Sequence, residues 1–246
     1  MFIDPLQRAG IVTSFSSMNE MNVIVMAANE RHVHYAEQIC SEMEASAKAR
    51  GTGIAKRSPD YVAGKMLEGK AVIALSEDGR WAGFCYIETW GHGQYVANSG
   101  LIVSPEFRKS GLARRIKRKI FELSREKYPQ AKIFGLTTGL AVMKINSELG
   151  YEPVTYSELT DDAAFWNGCK SCVNYEILMS KDRRNCLCTA MLYDPEEKAR
   201  QRVEANGGSA EQFGKRSRLY ERWLRFKKHV LLKAFEKSKN VVHYFI

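Results

Sequence analysis

The chain has 246 residues, which suffices for one substantial domain with an appendage. Apolar residues make up 45%, aromatic residues 11% and charged residues 26%, so the composition excludes collagen-like, mucin-like and wholly disordered chains. No run approaches the roughly 20 apolar residues of a membrane span, and residues 1–17 lack the charged-then-apolar order of a secretory signal. We therefore expect a cytoplasmic globular protein.

The positive charge of the chain is unevenly distributed. Lys and Arg number 37 against 28 Asp and Glu, a net charge of +9. Between Glu211 and Asn240 there are ten basic and three acidic residues, so this segment supplies +7 and the rest of the chain only +2. The basic excess is therefore a property of a C-terminal tail.

The first half of the chain predicts helices followed by an antiparallel meander. The predicted elements are a strand over 22–26, a helix over 32–47, a basic loop over 50–57, a helix over 59–67, and strands over 71–75, 81–89 and 95–103. Ser58 is expected to cap the second helix, with Pro59 in its first turn. Short turns between the three later strands make them antiparallel neighbours.

The second half returns to alternating strands and helices. Its predicted elements are a helix over 111–127, a strand over 132–137, a helix over 140–149 closed by Gly150, a strand over 152–156, a hairpin-like pair at 173–179 and 187–192, and a helix over 211–239. The pattern predicts an α/β fold. We divide it into a core at 20–160, a cysteine-bearing hairpin extension at 161–195 and a basic helical tail at 196–246.

The junction between the third meander strand and the basic helix predicts an anion site. The sequence there passes through small residues, Gly111 and Ala113, into a helix start. A helix start presents free backbone N–H groups and a favourable dipole, and small side chains let a phosphate approach them. Lys109, Arg114 and Lys117 are expected to supply neutralising charge. The alternative is an ordinary turn into a solvated basic helix.

This segment resembles the acetyl-CoA signature of the GNAT acetyltransferases, because it places Arg108, Gly111 and Ala113 in an Arg-x-x-Gly-x-Ala pattern between a strand and a basic helix. The resemblance extends over about residues 22–178 and includes the Leu149-Gly150-Tyr151 end of the later helix. It implies a mixed, mostly antiparallel sheet flanked by helices, with a gap between the strands at 95–103 and 132–137 for the cofactor arm. The implied cofactor-binding residues are Leu101, Ile102, Val103, Arg108, Lys109, Ser110, Gly111, Leu112, Ala113 and Arg114.

The resemblance also implies transfer of an acetyl group from acetyl-CoA to an amine. An alkylamine is mostly protonated near pH 7, so a base is required. Glu88 and His92 are the candidates, each with the alternative of an ordinary strand-end or turn residue. Many GNAT enzymes use a tyrosine acid four residues before the glycine that ends the later helix; that position here is Asn146, and an asparagine common near the start of that helix is replaced by Gly139.

Four of the six cysteines, Cys169, Cys172, Cys186 and Cys188, lie within twenty residues. Two close pairs in a reducing compartment offer the four thiolates of a structural zinc site. Cys-x-Cys is the poorer half-site, because alternate strand residues do not curl around one ion. The alternatives are small buried apolar residues and a surface redox pair.

The Trp166-x-x-Cys169-x-x-Cys172 run is loosely similar to acetyltransferases related to N-acetylglutamate synthase. That similarity implies a small amino-acid acceptor such as glutamate, with Arg50, Lys56 and Arg57 as partners for its carboxylates. The alternative for this loop is a solvated basic turn.

The tail at 211–239 carries large apolar residues at helical spacing, which favours packing on its own domain or on a second copy over contact with nucleic acid. Together these features predict an acyl-CoA-dependent N-acetyltransferase. The alternative functions are a non-catalytic acyl-CoA-binding regulator and an RNA-associated module that uses the tail.

Overall fold

The computed structural model describes residues 22–51 and 56–207 of the chain. The chain divides into two units, residues 1–193 and residues 194–246. The predicted helix at 211–239, and with it the partner of the basic tail, lies outside the described residues.

A seven-stranded sheet forms the centre of the first unit. Its strands are β1 (Val23–Ala27), β2 (Ala71–Ser76), β3 (Trp81–Trp90), β4 (Tyr95–Val103), β5 (Lys132–Thr137), β6 (Glu152–Val154) and β7 (Thr189–Tyr193). The strand order is β1-β2-β3-β4-β5-β7-β6. Only β4 and β5 are parallel, and every other pair is antiparallel. The predicted meander and the mixed, mostly antiparallel sheet are confirmed.

The helices of the first unit are α1 (Ala36–Arg50), α2 (Pro59–Leu67), α3 (Leu112–Lys127), α4 (Leu140–Glu148), α5 (Ala163–Asn167) and α6 (Tyr175–Ser180). Ser58 caps α2 as predicted, because its side chain accepts a hydrogen bond from the Tyr61 N–H. A short 3-10 turn, Glu30–Tyr35, leads into α1. The second unit begins with α7 (Pro195–Gly207).

Apolar side chains on the two faces of the sheet build separate parts of the core. On one face, Ile39 of α1 and Met66 of α2 pack with Phe84 of β3. On the other face, Ile116 and Ile120 of α3 pack in the cluster that holds alternate residues of β3. Each such side chain contributes about 1.5–3 kcal/mol by leaving water. Helices therefore cover both faces of the centre of the sheet.

A β-bulge interrupts the pairing of β3 with β4. Phe84 pairs with Ile102 and Tyr86 with Ser99, so Cys85 faces two residues of β4 instead of one. One of these is Gly100, whose φ is 64°. A Cβ at Gly100 would come within 2.2 Å of the Tyr86 ring, so both the backbone and the packing require glycine there.

The predicted hairpin at 173–179 and 187–192 is wrong. Residues Tyr175–Ser180 form α6, and β7 pairs with β5 and β6 instead of folding back on residues 173–179. Leu, Met and Glu in that segment are strong helix formers, and its apolar run was indistinguishable by periodicity from a strand. The extension at 161–195 therefore contributes a strand to the central sheet.

None of the helices within residues 22–51 and 56–207 is long and apolar enough to cross a membrane.

Lys117 occupies an unexpected place in the core. It is 2% exposed, and its Nζ donates to the Asn98 carbonyl of β4 at 3.1 Å and lies 5.9 Å from the centre of the Tyr151 ring. The expectation that Lys117 serves the anion site is therefore wrong, because its position in the first turns of α3 faces the sheet. Burial without a carboxylate partner lowers the pKa of this amine.

Replacing Lys117 with Met tests this burial. The lysine has an ordinary pKa of 10.5 in the unfolded chain and a lower one when folded, so the unfolded chain binds more protons between the two values. The stability of the wild type should therefore rise with pH across that window, relative to Lys117→Met. Urea unfolding between pH 7 and 10.5 measures the difference. A constant difference would contradict the prediction; Lys119→Met, on an exposed position of the same helix, is the control.

Candidate active site

The turn from β4 into α3 presents a row of unpaired backbone amides. The N–H groups of residues 109–113 donate no hydrogen bond to any group in the described part of the chain. Gly111 caps α3 with a φ of 78°, and a Cβ there would meet nothing within 4 Å. Lys109 also has a positive φ, 64°. Backbone of this kind and the dipole of α3 together form a concave site for an anion.

Two arginines of the predicted cofactor site are engaged in ion pairs. Arg108 donates from Nε to the Val103 carbonyl at 3.0 Å and from Nη2 to Glu42 at 2.7 Å. It therefore fastens α1 to the end of β4. Arg114 makes two hydrogen bonds, of 2.7 and 2.9 Å, to the carboxylate of Glu148 at the end of α4. Because this second pair is exposed, it is weak enough for a charged ligand to replace.

The remaining residues predicted to bind the cofactor contribute mainly backbone. Ile102 and Leu112 are buried in the core, and the Ser110 hydroxyl donates to the Phe107 carbonyl. Leu101 and Val103 are half-buried along β4, and Lys109 is exposed. Of these remaining residues, the main-chain groups and the Lys109 side chain are thus the parts that a cofactor could contact.

A gap opens between β4 and β5. Their parallel pairing is confined to three residue pairs, the last of which joins Ala97 to Phe134. Beyond that point β5 continues to pair with β7 as far as Thr137, while β4 runs on to Val103 without β5 beside it. The gap therefore exposes one edge of β4 over residues 98–103, about 20 Å of strand. It ends at the row of free amides.

A polar cluster lies beside the closed end of this gap. The Oε1 atom of Glu88 accepts from Arg57 Nη2 at 2.9 Å and from the Tyr61 hydroxyl at 2.6 Å. Arg57 Nε donates to the Tyr86 hydroxyl at 3.0 Å. Within the described residues, the second oxygen of Glu88, Oε2, accepts no hydrogen bond. Glu88 is therefore fixed through one oxygen and available through the other.

Burial and charge set the protonation of this cluster. Burial first, and then the hydrogen bond to Glu88, raise the pKa of Tyr61 well above its usual value. Burial and the Glu88 carboxylate also raise the pKa of Tyr86. Burial alone would lower the pKa of Arg57, but the neighbouring Tyr86 and Glu88 outweigh it and raise that pKa. Both phenols are therefore neutral and Arg57 is charged at neutral pH.

The register of the sheet places Glu88 next to the opening of the gap. Glu88 pairs with Ala97, which is the last residue of β4 that pairs with β5. Its cluster partners come from α2, from the loop before α2 and from the same strand, two residues earlier. The free amides at the start of α3, the exposed edge of β4 and the Glu88 carboxylate of β3 thus follow one another in that order.

Residues 55–142, which include these three features, match the family model of the acetyltransferase (GNAT) family. This segment is a GNAT acetyltransferase domain. The predicted family is confirmed for this segment. Among curated proteins, the comparison found no match to the chain.

Solved structures share the GNAT fold with this chain. The N-acetylglutamate synthase of Neisseria gonorrhoeae, solved with coenzyme A and N-acetyl-glutamate, has a TM-score of 0.50 and 17% identity over 70% of this chain and 35% of that one. A Mycobacterium tuberculosis protein solved with CoA has a TM-score of 0.50 and 15% identity, covering 70% of this chain and 98% of that one. A GNAT acetyltransferase of Staphylococcus aureus has a TM-score of 0.51 and 10% identity, covering 71% and 99%. The chain thus spans about a third of the gonococcal enzyme.

The structure brings some predicted residues of the GNAT domain together and separates others. Arg57 and Glu88 meet, whereas the Lys56 amine extends to Glu44, at 3.5 Å, and is exposed. Arg50 is the last residue of α1. His92 lies in an exposed turn with a φ of 54°, and its ring makes no hydrogen bond with a described residue.

The sequence analysis missed Tyr61 and Tyr86. Tyr86 lies two residues before Glu88 on one strand, and strand periodicity alone would have placed both on one face. No comparable signal connects Tyr61 to Glu88, since that contact depends on how α2 lies on the sheet.

Asn146 occupies the position at which many relatives carry the tyrosine acid. It is 1% exposed, and its Nδ2 lies 3.8 Å from the Met191 sulfur. Its Oδ1 is buried and has no hydrogen-bond partner within the described part of the chain. No phenol therefore projects from this position of α4.

The four clustered cysteines lie near one another. Cys188 is an electrostatic neighbour of Cys169, Cys172 and Cys186, and burial and these thiols raise its pKa to about 12. The pKa of Cys169 rises to about 11 for the same reasons. No group of three or more His, Cys, Asp or Glu residues in 22–51 and 56–207 is arranged to hold a metal ion. The zinc site stays a prediction.

The ion pair of Arg57 and Glu88 generates a stability prediction. Their side chains are 18% and 10% exposed, so Arg57→Met should cost about 2 kcal/mol by leaving the carboxylate without its charge partner. The double variant Arg57→Met/Glu88→Gln should recover about half of that loss. Denaturant unfolding measures both.

The control for this cycle is Lys56→Met. Its pair with Glu44 is 75% and 68% exposed, so its loss should cost less than about 0.5 kcal/mol. Equal losses in Arg57→Met and Lys56→Met would show that burial does not strengthen the Arg57 pair.

Proposed function

We propose that this chain transfers the acetyl group of acetyl-CoA to the amine of a small amino acid such as glutamate. The proposal is carried by the order of three features. Free amides at residues 109–113 are followed by the open edge of β4, and Glu88 of β3 lies at the closed end of the gap. The gonococcal and mycobacterial structures were solved with coenzyme A and share the fold, which supports a coenzyme A site in this GNAT domain.

The amides at the start of α3 bind the diphosphate of the cofactor in this proposal. Their dipoles and the exposed Lys109 offset its negative charge. A diphosphate near Arg114 competes with Glu148 for the guanidinium. The cofactor arm then runs along the exposed edge of β4, where unpaired backbone groups hydrogen-bond to its amides. This brings the thioester toward Ala97 and Glu88.

Glu88 acts as the general base in the proposed reaction. The acceptor amine loses a proton to Oε2, directly or through one water, and attacks the thioester carbon. The tetrahedral intermediate carries a negative oxygen, which a backbone N–H of the open β4 edge stabilises. Arg57 and Tyr61 hold the carboxylate by its other oxygen, so it need not reorganise during the reaction.

The sulfur leaves as a thiolate in this scheme. When the intermediate collapses, the C–S bond breaks and its electron pair stays on sulfur. Asn146 stands where a tyrosine acid would, and its amide N–H is not acidic enough to transfer a proton to sulfur. A thiol has an ordinary pKa of about 8.5, so a thiolate is a stable enough leaving group near neutral pH. The nitrogen loses its second proton to solvent, solvent protonates the thiolate, and Glu88 releases its proton to solvent, so one proton is set free overall.

The acceptor approaches from the face of the sheet that carries α1 and α2. Glu88 is on that face together with Arg57, three of whose five N–H donors are engaged. The two others are available to a carboxylate of the acceptor. Arg50 and Lys56 flank the same loop and form the rest of the proposed carboxylate site. The N-acetyl-glutamate in the gonococcal structure supports an amino-acid acceptor.

Glu88→Gln tests the base. It keeps the shape of the side chain and its acceptor oxygen but removes the basic carboxylate, so kcat/KM should fall about 10²- to 10⁴-fold. Free thiol released from acetyl-CoA, with glutamate first in a panel of amino acids, measures the rate. His92→Ala should retain activity. Loss in His92→Ala with activity retained in Glu88→Gln would reverse the assignment.

Gly111→Glu tests the cofactor site. A carboxylate and a Cβ placed at the free amides should weaken coenzyme A binding by at least about 100-fold, because the added charge repels the diphosphate. Isothermal titration measures the affinity. Gly79→Glu is the matched control, since Gly79 has a φ of 81° and equally open surroundings in the turn between β2 and β3. Unchanged affinity in Gly111→Glu would remove the diphosphate from this corner.

The same measurements separate a catalyst from the second candidate, a non-catalytic acyl-CoA-binding regulator. A regulator would bind coenzyme A with wild-type dependence on Gly111 but release no thiol with any amine.

A further inference from the structure

Four thiols from two separate segments meet at one place in the extension. Cys169 lies in a 3-10 turn, Gly168–Ser171, and Cys172 directly follows it, while Cys188 directly precedes β7. Cys188 is an electrostatic neighbour of Cys169, Cys172 and Cys186, and Cys169 is one of Cys172 and Cys186. All four cysteines are half-buried. The pairing of β7 with β5 carries the second pair to the first.

The backbone of Asn174 connects the two pairs. Its N–H donates to the Cys172 sulfur at 3.4 Å, and its carbonyl accepts from the Cys186 thiol at 3.8 Å. The Cys172 N–H donates to the Cys169 carbonyl at 2.9 Å, which closes the turn between the first two cysteines. An N–H donor fixes the orientation of a sulfur and stabilises its thiolate form. The first pair is thus held in a turn with one sulfur already oriented.

We infer that Cys169, Cys172, Cys186 and Cys188 bind one zinc ion, which fastens the turn at 168–171 to the segment before β7. Four soft sulfur donors are the ligand set of closed, structural zinc sites. Among the described residues the thiols are neighbours that are not yet arranged as a coordination shell, so binding draws them to about 2.3 Å from the ion. Basic residues close to the cysteines in sequence offset the charge of a tetrathiolate; they are Lys170, Lys181, Arg183 and Arg184.

This site adjoins the loop that carries Arg57. The Ser171 hydroxyl, between Cys169 and Cys172, accepts a hydrogen bond from the Lys56 N–H at 3.3 Å. Arg57, the next residue, holds Glu88. The ion therefore stabilises a turn that supports the proposed acceptor site from outside. Ser171 is a positioning residue, and this part of the inference rests on the proposed function.

Metal analysis of the full chain, purified without chelator from zinc-supplemented medium, tests the site. We expect about one zinc per chain in the wild type and in Cys40→Ser, whose thiol lies in α1 outside the cluster. Cys172→Ser/Cys186→Ser should retain less than about a fifth of it. X-ray absorption should show sulfur neighbours at about 2.3 Å. Metal-free wild-type protein with four reactive thiols, or with disulfides by mass, would overturn the inference.

A second measurement keeps the test valid if the double variant does not fold. Chelator added to folded wild-type protein should expose four further thiols to a thiol reagent and lower the melting temperature, and added zinc should reverse both. Unchanged thiol reactivity after chelation would likewise overturn the site.

Ser171→Ala tests the connection to the acceptor loop. Loss of this one hydrogen bond should raise the KM of the amino-acid acceptor about three- to tenfold, with the zinc content and the coenzyme A affinity unchanged. An unchanged acceptor KM in an active enzyme would refute the connection but leave the zinc site standing. Absence of all acetyl transfer, with zinc bound, would refute the proposed function instead.

Discussion

The parting of β4 from β5 is the constraint on which the rest of the site depends. Backbone donors and acceptors inside a sheet are normally paired, and leaving them unpaired is costly. Beyond Ala97 and Phe134 the facing edges of β4 and β5 both lack a neighbouring strand, and β5 keeps its pairing with β7 on the other side as far as Thr137. The bulge at Gly100 falls inside the same stretch. About six residues of β4 thus lack a neighbouring strand on this side, although side chains bind the carbonyls of Asn98, Ser99 and Val103. An extended ligand with amide groups matches the backbone groups that are left.

The two faces of the sheet contribute different parts of the chemistry. The α3 face supplies the helix start at which we propose a diphosphate site, and beneath it the buried Lys117 binds the carbonyl of Asn98 in β4. The opposite face supplies Glu88 and the side chains that hold it. A cofactor lying in the gap is accessible to both faces, so its two ends meet different environments.

The sequence predicted the elements whose signals are local. The cap at Ser58, the glycine before α3 and the alternation of the meander strands each depend on a few neighbouring residues, and each was placed within a residue or two. The errors came where distant contacts decide. Residues 175–180 are apolar enough for a strand, but their partner strand is taken by β5 and β6. A lysine in a basic helix is predicted to be exposed, but Lys117 lies on the side of α3 that packs on the sheet. Tyr61 reaches Glu88 only through the packing of α2.

The extension is part of the central sheet rather than an addition to it. β7 lies between β5 and β6, so the open gap exists in its present form because β5 has β7 on its other side. The chain must cross from β6 to β7 through the segment that holds α5, α6 and the four cysteines. Trp166 and Phe165 of this segment pack on the face of the sheet that includes Ala97 and Phe134, the last pair before the gap. An interaction that stabilises the cysteine segment therefore also stabilises the strand pair at which the cofactor arm would end. A metal ion bound by those thiols would stabilise the sheet and the site together.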